Sequence, residues 1–332
     1  MPNHFTSQGQ RLNLVTGGTG FIGRHVVQQL RAQGEYVRVL DCSAAADGDG
    51  RGDEHITGSV TDPDTLARAM AGARRVFHLA ALAHLWIPDK REYRRVNHEG
   101  THHVLRAAAD AGVETVVHCS TEAVLIPCAT RRGAQVDEDA TPSLAAMPGP
   151  YCRTKWLAEQ EALTAAEQGQ RVVLVSPTAP IGPGDHGLTP PTQMLLGFLN
   201  GDYPAYLETV LNLADVRDIA RGHLHAAEHG VAGRRYVLGG TNIALSQLLI
   251  ELEQLTGLAM PRRRIPYWLA HTFASASERL ADHLTHRAPQ ATLTGVRLAR
   301  PAARFDNRRA REELGVAFRP LEHSLRDAIA DL

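Results

Sequence analysis

The sequence predicts an α/β fold, a doubly wound parallel sheet with a smaller, mostly helical C-terminal lobe. Three observations carry that prediction. An apolar strand, Leu12 to Thr16, runs into a glycine turn opening a helix whose Ile22, Val26, Val27 and Leu30 recur at helical spacing. Strands and helices then alternate through the first half, as a parallel sheet with helical crossovers requires. Beyond about residue 183 the alternation gives way to helical patterns. The expected division is residues 1–182, with 213–240 returning to the sheet, and a lobe of 183–212 and 241–332.

Taken in order, the turn places Gly17, Gly20 and Gly23 where a tight reversal, close backbone approach and close helix packing are needed, with Phe21 and Ile22 opening the helix. A helix N-terminus behind such a turn points free N–H groups at an anion, so this is a phosphate cradle. Gly34 ends the helix, a second strand runs from Tyr36 to Leu40, and Asp41 closes it, placed to take the hydroxyls of an adenosine ribose. A short strand, Ile56 to Gly58, precedes a helix from Asp62-Pro63 to Ala71; Asp62 either caps it or reaches the adenine. The strand Arg75 to Leu79 ends in Ala80-Ala81, small enough for backbone to lie against a cofactor, and His78 there reads as a packed structural residue.

Leu82, Leu85, Trp86 and Ile87 follow a strand's carboxyl end, where ligands of such sheets bind, so they form either an apolar substrate wall or a loop folded on the core. A long helix, Arg91 to Ala111, carries Asn97. The strand Thr115 to Cys119 delivers Ser120 and Thr121, and a long polar loop leads to a helix from Tyr151 to Glu167. Tyr151 and Lys155, four apart, share one face of that helix. A free tyrosine has a pKa of about 10, and bringing it near neutrality for acid or base work costs on the order of 4 kcal/mol. A nearby ammonium favours the phenolate. Val172 to Ser176 reads as a strand and Pro177 to Pro191 as loop. Helices are expected at Thr192 to Asn200, after Asp215 to His229, and at Ser246 to Thr256, Tyr267 to Leu284 and Leu321 to Ile329. An extended piece runs from Ala205 to Leu213, and a strand from Arg235 to Leu238 returns to the sheet. Met194, Leu195 and Phe198 are expected to join the substrate wall, and the face carrying Tyr267, Trp268 and Phe273 either meets substrate or membrane or, as is commoner for a helix of this polarity, forms lobe core.

A chain of 332 residues with a net charge of −1 offers no basic patch for nucleic acid and no cationic cluster for an anionic membrane. The polar Met1 to Gln10 and the strand-length apolar runs give neither a signal peptide nor a spanning helix, so a cytoplasmic protein is expected. The four cysteines, Cys42, Cys119, Cys128 and Cys152, lack metal-ligand spacing and read as reduced, buried thiols. The seventeen histidines form no His-Glu-x-x-His, so no metal is expected.

Together these pieces resemble the extended short-chain dehydrogenase/reductase family, within the NAD-dependent epimerase/dehydratase group. The motifs are Thr16 to Gly23, His78-Leu79-Ala80-Ala81, Asn97, Ser120-Thr121, Tyr151 with Lys155, and Gly182-Pro183-Gly184-Asp185. Asn212 to His223 and Tyr236 to Gly240 are similar to hopanoid-associated sugar epimerases, dihydroflavonol reductases and 3β-hydroxysteroid dehydrogenases. The resemblance implies a Rossmann-type fold and an NAD(P)-dependent oxidoreductase. It implies Tyr151 as acid/base, Lys155 as its tuner on the nicotinamide ribose, Thr121 binding the reacting oxygen, Asn97 supporting the proton path, and Pro177 touching the cofactor. Three departures refine it. Glu122 is followed by Ala123, where dehydratases carry an acidic pair; Ala179 stands where sugar epimerases hold the nucleotide with Asn; and Asp41 is followed by Cys42 and Ser43 rather than arginine, favouring NAD over NADP. The expected substrate is an apolar secondary alcohol or ketone, terpenoid or sterol-like. The alternatives are a sugar epimerase and a non-catalytic cofactor-binding module. Helix-rich surfaces allow a homodimer.

Overall fold

The computed structural model describes residues 11–44 and 52–332, so the polar segment Met1 to Gln10 lies outside the described residues. The chain runs β1 (Leu12–Thr16), α1 (Phe21–Ala32), β2 (Tyr36–Asp41), β3 (Glu54–Thr57), α2 (Pro63–Met70), β4 (Arg75–His78) and α3 (Arg91–Tyr93). A π-helical stretch, Arg94–Glu99, joins α3 to α4 (Gly100–Asp110), and β5 (Thr115–Cys119), β6 (Gln135–Val136), α5 (Pro150–Glu167), β7 (Val172–Pro177) and β8 (Ala179–Ile181) follow. The second half holds α6 (Pro190–Leu199), β9 (Tyr206–Leu207), β10 (Val210–Asp215), α7 (Val216–His229), β11 (Arg235–Leu238), β12 (Thr241–Ala244) and α8 (Leu245–Thr256). Then come β13 (Arg264–Ile265), α9 (Tyr267–Leu280), α10 (Leu293–Ala299), β14 (Arg304–Phe305), α11 (Arg308–Glu313) and α12 (Leu321–Asp331).

Seven strands form one parallel sheet in the order β3-β2-β1-β4-β5-β7-β11. The direction of winding reverses between β1 and β4, and the crevice beyond their carboxyl ends is where such sheets bind ligands. Both faces are covered, which is why β1 and β7 are buried along their whole length and show no polar alternation. One face packs Val26, Val27 and Leu30 of α1 and Ile219 and Leu224 of α7 on Val15, Val39 and Val117. The other packs Leu66 and Met70 of α2 and Val104 of α4 on Leu14, Val76 and Val116. Each such fully buried aliphatic side chain contributes roughly 1.5–3 kcal/mol.

A second core of Ile181, Leu195, Phe198, Leu248, Leu252 and Leu325 joins α6, α8 and α12 to a three-stranded sheet in the order β12-β10-β8. Leu195 and Phe198 therefore belong to this core, with Met194 packed against it, rather than to a substrate wall. The helix expected from Arg91 to Ala111 is interrupted by its π-helical stretch, and the loop from Pro177 to Pro191 contains β8. Of the two readings of the apolar face of α9, lobe core does not hold: Trp268 is 67% exposed and Phe273 50%. All four cysteines are free thiols, but Cys42 and Cys128 are exposed, since both sit in loops beyond strand or helix.

Candidate active site

The glycine turn is shaped by its contacts. Gly17 has φ +73°, and a Cβ there would lie 2.7 Å from the Ala80 nitrogen, so the turn rests directly on the backbone ending β4. The N-terminus of α1 has no side-chain cap and no acid in its first turn, whereas α2 and α7 are capped by Asp62 and Asp215. The first N–H groups of a helix lack intrahelical partners, so an uncapped start is suited to an anion. Asp41 stands beside this turn, accepting from the Thr19 N–H at 3.1 Å and the Ser43 N–H at 3.1 Å. Glycine turn, open helix start and flanking carboxylate fit a dinucleotide.

Asp62 is committed to its helix: it accepts from the Asp64 N–H and, at 2.5 Å, from the Thr65 hydroxyl. His78 is structural, as read, lying 2.8 Å from Thr16 Oγ1 and 3.0 Å from Thr101 Oγ1. Burial lowers its pKa to about 3, with Lys155 acting in the same sense, so the ring stays neutral.

Beyond β5, Thr121, Tyr151 and Lys155 converge. Proline at the first position of α5 presets the helical backbone after Gly149. The C-terminal segment braces this start: Arg297 Nη1 donates to the Pro148 carbonyl at 3.0 Å, and Thr294 leaves no room for a Cβ at Gly149. Tyr151 is 9% exposed and edge-on to Tyr93, with ring centroids 6.3 Å apart. Burial raises the pKa of its phenol, a hydrogen bond with Thr121 opposes that, and the Glu122 carboxylate reinforces it. Lys155 donates to the Cys119 carbonyl at 2.7 Å, and burial lowers its own pKa. The lowering of the Tyr151 pKa expected from Lys155 is not found: burial raises it, and the ammonium is engaged by the Cys119 carbonyl.

Asn97 sits in the π-helical stretch, a form that often marks functional positions. Its side chain accepts from the Leu82 N–H at 2.7 Å and donates to the Leu82 carbonyl at 3.1 Å. It thereby fixes the start of the apolar loop. Leu82 and Leu85 pack on the cluster containing Tyr93, Val124 and Tyr151. Trp86 is 7% exposed, donates from Nε1 to Asp282 Oδ1 at 2.7 Å, and carries Lys90 4.2 Å over its ring. The loop is therefore pinned to the segment following α9.

Three residues shape this site that the sequence does not place in it, Glu122 entering there only as a departure from the dehydratase pattern. Glu122 accepts from Thr121 Oγ1 at 3.1 Å, and burial pushes its pKa up to about 7 against that hydrogen bond. Its position next to Thr121 was the available signal. Tyr93, whose hydroxyl donates to the His84 carbonyl, and Asp282, whose partners are remote in sequence, offered none. Among the described residues no cluster of metal-ligating side chains occurs, and no helix is long and apolar enough to cross a membrane.

A seven-stranded parallel sheet flanked by helices, with a glycine cradle at its winding reversal, together with the matching family model, defines an NAD-dependent oxidoreductase of the extended short-chain class. The chain belongs to the NAD dependent epimerase/dehydratase family, whose model matches residues 13–239. It is 38% identical over 322 residues to a provisionally named dihydroflavonol 4-reductase of Synechocystis sp., covering 95% of this chain and 92% of that protein. It is 32% identical over 321 residues to sterol demethylase protein B of Methylococcus capsulatus, covering 96% and 97%. Among solved structures, the crystal structure of gox2253 is 36% identical, with a TM-score of 0.83 over 96% of this chain and 97% of that one.

Proposed function

We propose that this enzyme interconverts a secondary alcohol and a ketone on an apolar, terpenoid or sterol-like substrate. The observation that carries the reading is that Leu82 and Leu85 pack on the same apolar cluster to which Tyr151 belongs. A sugar diphosphate needs cationic or amide partners there. The name of the Methylococcus relative, which speaks of sterol demethylation, supports the same substrate class.

In this reading the backbone of Gly17, Gly20, Phe21, Ile22 and Gly23 holds the pyrophosphate, and Asp41 takes the adenosine ribose. Ala80, Ala81 and Pro177 flank the cofactor, and Tyr151 and Lys155 reach the nicotinamide ribose. NAD supplies the acceptor or donor of hydride at the carbinol carbon. Tyr151 Oη takes the hydroxyl proton during oxidation and returns it during reduction. Thr121 Oγ1 holds the reacting oxygen against Tyr151, while Asn97 positions the loop that begins at Leu82. Asp62 serves as a helix cap, and Trp86 anchors the loop rather than touching substrate. The division into a cofactor unit and a lobe, and a cytoplasmic location, belong to the same proposal.

The test is NADH formation with polycyclic and terpenoid secondary alcohols against UDP- and dTDP-sugars. Turnover of the alcohols with none of the sugars is expected. Rapid epimerisation of the sugars without alcohol oxidation overturns the reading.

A further inference from the structure

The C-terminal lobe presents an apolar surface that the packing of the chain leaves uncovered. Five of the ten large exposed apolar side chains among the described residues lie on α9 and the π-helical turn after it: Trp268, Leu269, Phe273, Leu280 and Leu284. Leu284 is 75% exposed. At 3.6 residues per turn Leu269, Phe273 and Leu280 share one face, which Leu284 continues and Trp268 flanks at its N-terminal edge. The neighbouring face, with Ala270, Ala274 and Ala281, is buried, and α9 packs on α10. Small residues inside and large apolar residues outside reverse what a helix docked only on its own lobe needs.

Exposed charge around this surface is mainly cationic, assembled from separated arginines rather than from a Lys/Arg cluster in the sequence. Both acids of the segment are turned away from it: Glu278 accepts from the Leu293 N–H at 2.7 Å, and Asp282 accepts from Trp86 and Lys90. Arg279, His283 and Arg287 are exposed alongside the stripe, and Arg263 at its N-terminal end is exposed as well. Among the described residues, Arg263, Arg279 and Arg287 have no carboxylate within ion-pair distance. Arg300 lies 5.2 Å over the Tyr267 ring and adds to the same end.

We propose that α9 and the turn after it dock on an anionic lipid surface, with Trp268, Leu269, Phe273, Leu280 and Leu284 in the interfacial layer and the arginines on the headgroups. An amphipathic helix with aromatic and leucine side chains beside arginines binds membranes in this way, by apolar burial plus attraction to anionic lipid. Charge complementarity selects this occupant over a second copy of the chain. A two-fold interface through the stripe sets the same cations against themselves, which disfavours association. Asp282 connects the surface directly to the loop carrying Leu82 and Leu85, so a docked lobe brings the apolar wall close to the bilayer. The inference rests on this surface and not on the substrate assignment, and its test contains no substrate.

The experiment is vesicle flotation of the full chain, with phosphatidylcholine alone and with phosphatidylcholine mixed with phosphatidylglycerol, alongside light scattering for oligomeric state. The wild type is expected to float with the anionic vesicles, and less so as salt screens the headgroups. The double variant Trp268→Glu/Phe273→Glu, and separately Arg279→Glu/Arg287→Glu, should each reduce partitioning by about ten-fold or more. Circular dichroism and the unfolding midpoint check that each variant folds; should either fail, Leu284→Glu at the most exposed position carries the same expected loss. No flotation of the wild type, or flotation undiminished in folded variants, overturns the proposal. A dimer that Trp268→Glu/Phe273→Glu dissociates, without vesicle binding by the wild type, overturns it in favour of a second copy.

Discussion

Replacing Glu122 with Gln changes stability by an amount that depends on pH, and the structure sets both sign and size. The carboxyl accepts a hydrogen bond from Thr121, yet burial still pushes its pKa up to about 7 from an ordinary 4.5. Between those values the folded chain holds a proton that the unfolded chain has released. The stability associated with that proton is fully present below about 4.5 and is lost as pH rises through about 7. At about 1.4 kcal/mol per pH unit the full loss is on the order of 3 kcal/mol. Part of Glu122 reaches solvent, which trims the expected effect to about 1–3 kcal/mol. Gln keeps the shape, accepts from Thr121 through its carbonyl, and never ionises. Urea unfolding of both proteins should give similar stabilities near about pH 5 and a variant more stable by that margin near about pH 8. The ionised carboxylate also raises the pKa of Tyr151. The ascending limb of alcohol oxidation against pH should therefore move to lower pH in the variant. A stability difference that stays constant across the range, or an unmoved rate profile, refutes the reasoning.

Other outcomes follow from the same geometry. NAD should bind more tightly than NADP, because Asp41 beside the cradle repels a 2′-phosphate, and Asp41→Ala should weaken NAD by about ten-fold while narrowing the preference; calorimetry with both cofactors decides, and equal wild-type affinities contradict it. Burial lowers the pKa of His78 to about 3, of His223 to about 4, and of His118 in the same direction. Their contribution is present above an ordinary histidine pKa of about 6.5 and is lost as pH falls below it. Unfolding midpoints of Glu122→Gln, in which one of the opposing buried carboxyls is absent and Glu138 remains, should therefore drop on acidification more steeply than those of the wild type. Trp86→Ala removes a buried indole bonded to Asp282 and stacked with Lys90, so it should cost about 3–5 kcal/mol in unfolding assays; wild-type stability in that variant removes its anchoring role.

Much of this molecule is legible in its sequence because local chemistry and global topology agree there. The strand, glycine turn and helix at Leu12 to Leu30, the acid at Asp41, and the pairing of Tyr151 with Lys155 on one helix face all obey short-range rules. What escaped reading depends on distant partners. β8 lies inside a stretch of Gly and Pro that reads as loop, and it exists because β10 pairs with it in parallel. The two-residue strands β6 and β14 are set by each other across the chain. The π-helical stretch at Asn97, whose side chain bonds Leu82, is announced by no periodicity in Arg91 to Ala111. Leu195 and Phe198 carry the same apolar signal whether they face a ligand or a core, and only the packing with α8 and α12 decides. The stripe on α9 shows the converse, since an apolar helix face does not declare whether anything covers it.

The measurement closest to the central claim compares Tyr151→Phe and Lys155→Ala with the wild type, in turnover of an apolar secondary alcohol and in NAD affinity. The phenol hydroxyl is assigned to proton transfer, and Lys155 to both the ribose and the site's charge. Tyr151→Phe should abolish turnover and leave NAD affinity nearly intact, whereas Lys155→Ala should damage both. A Tyr151→Phe enzyme that still oxidises the alcohol at a substantial rate contradicts the account.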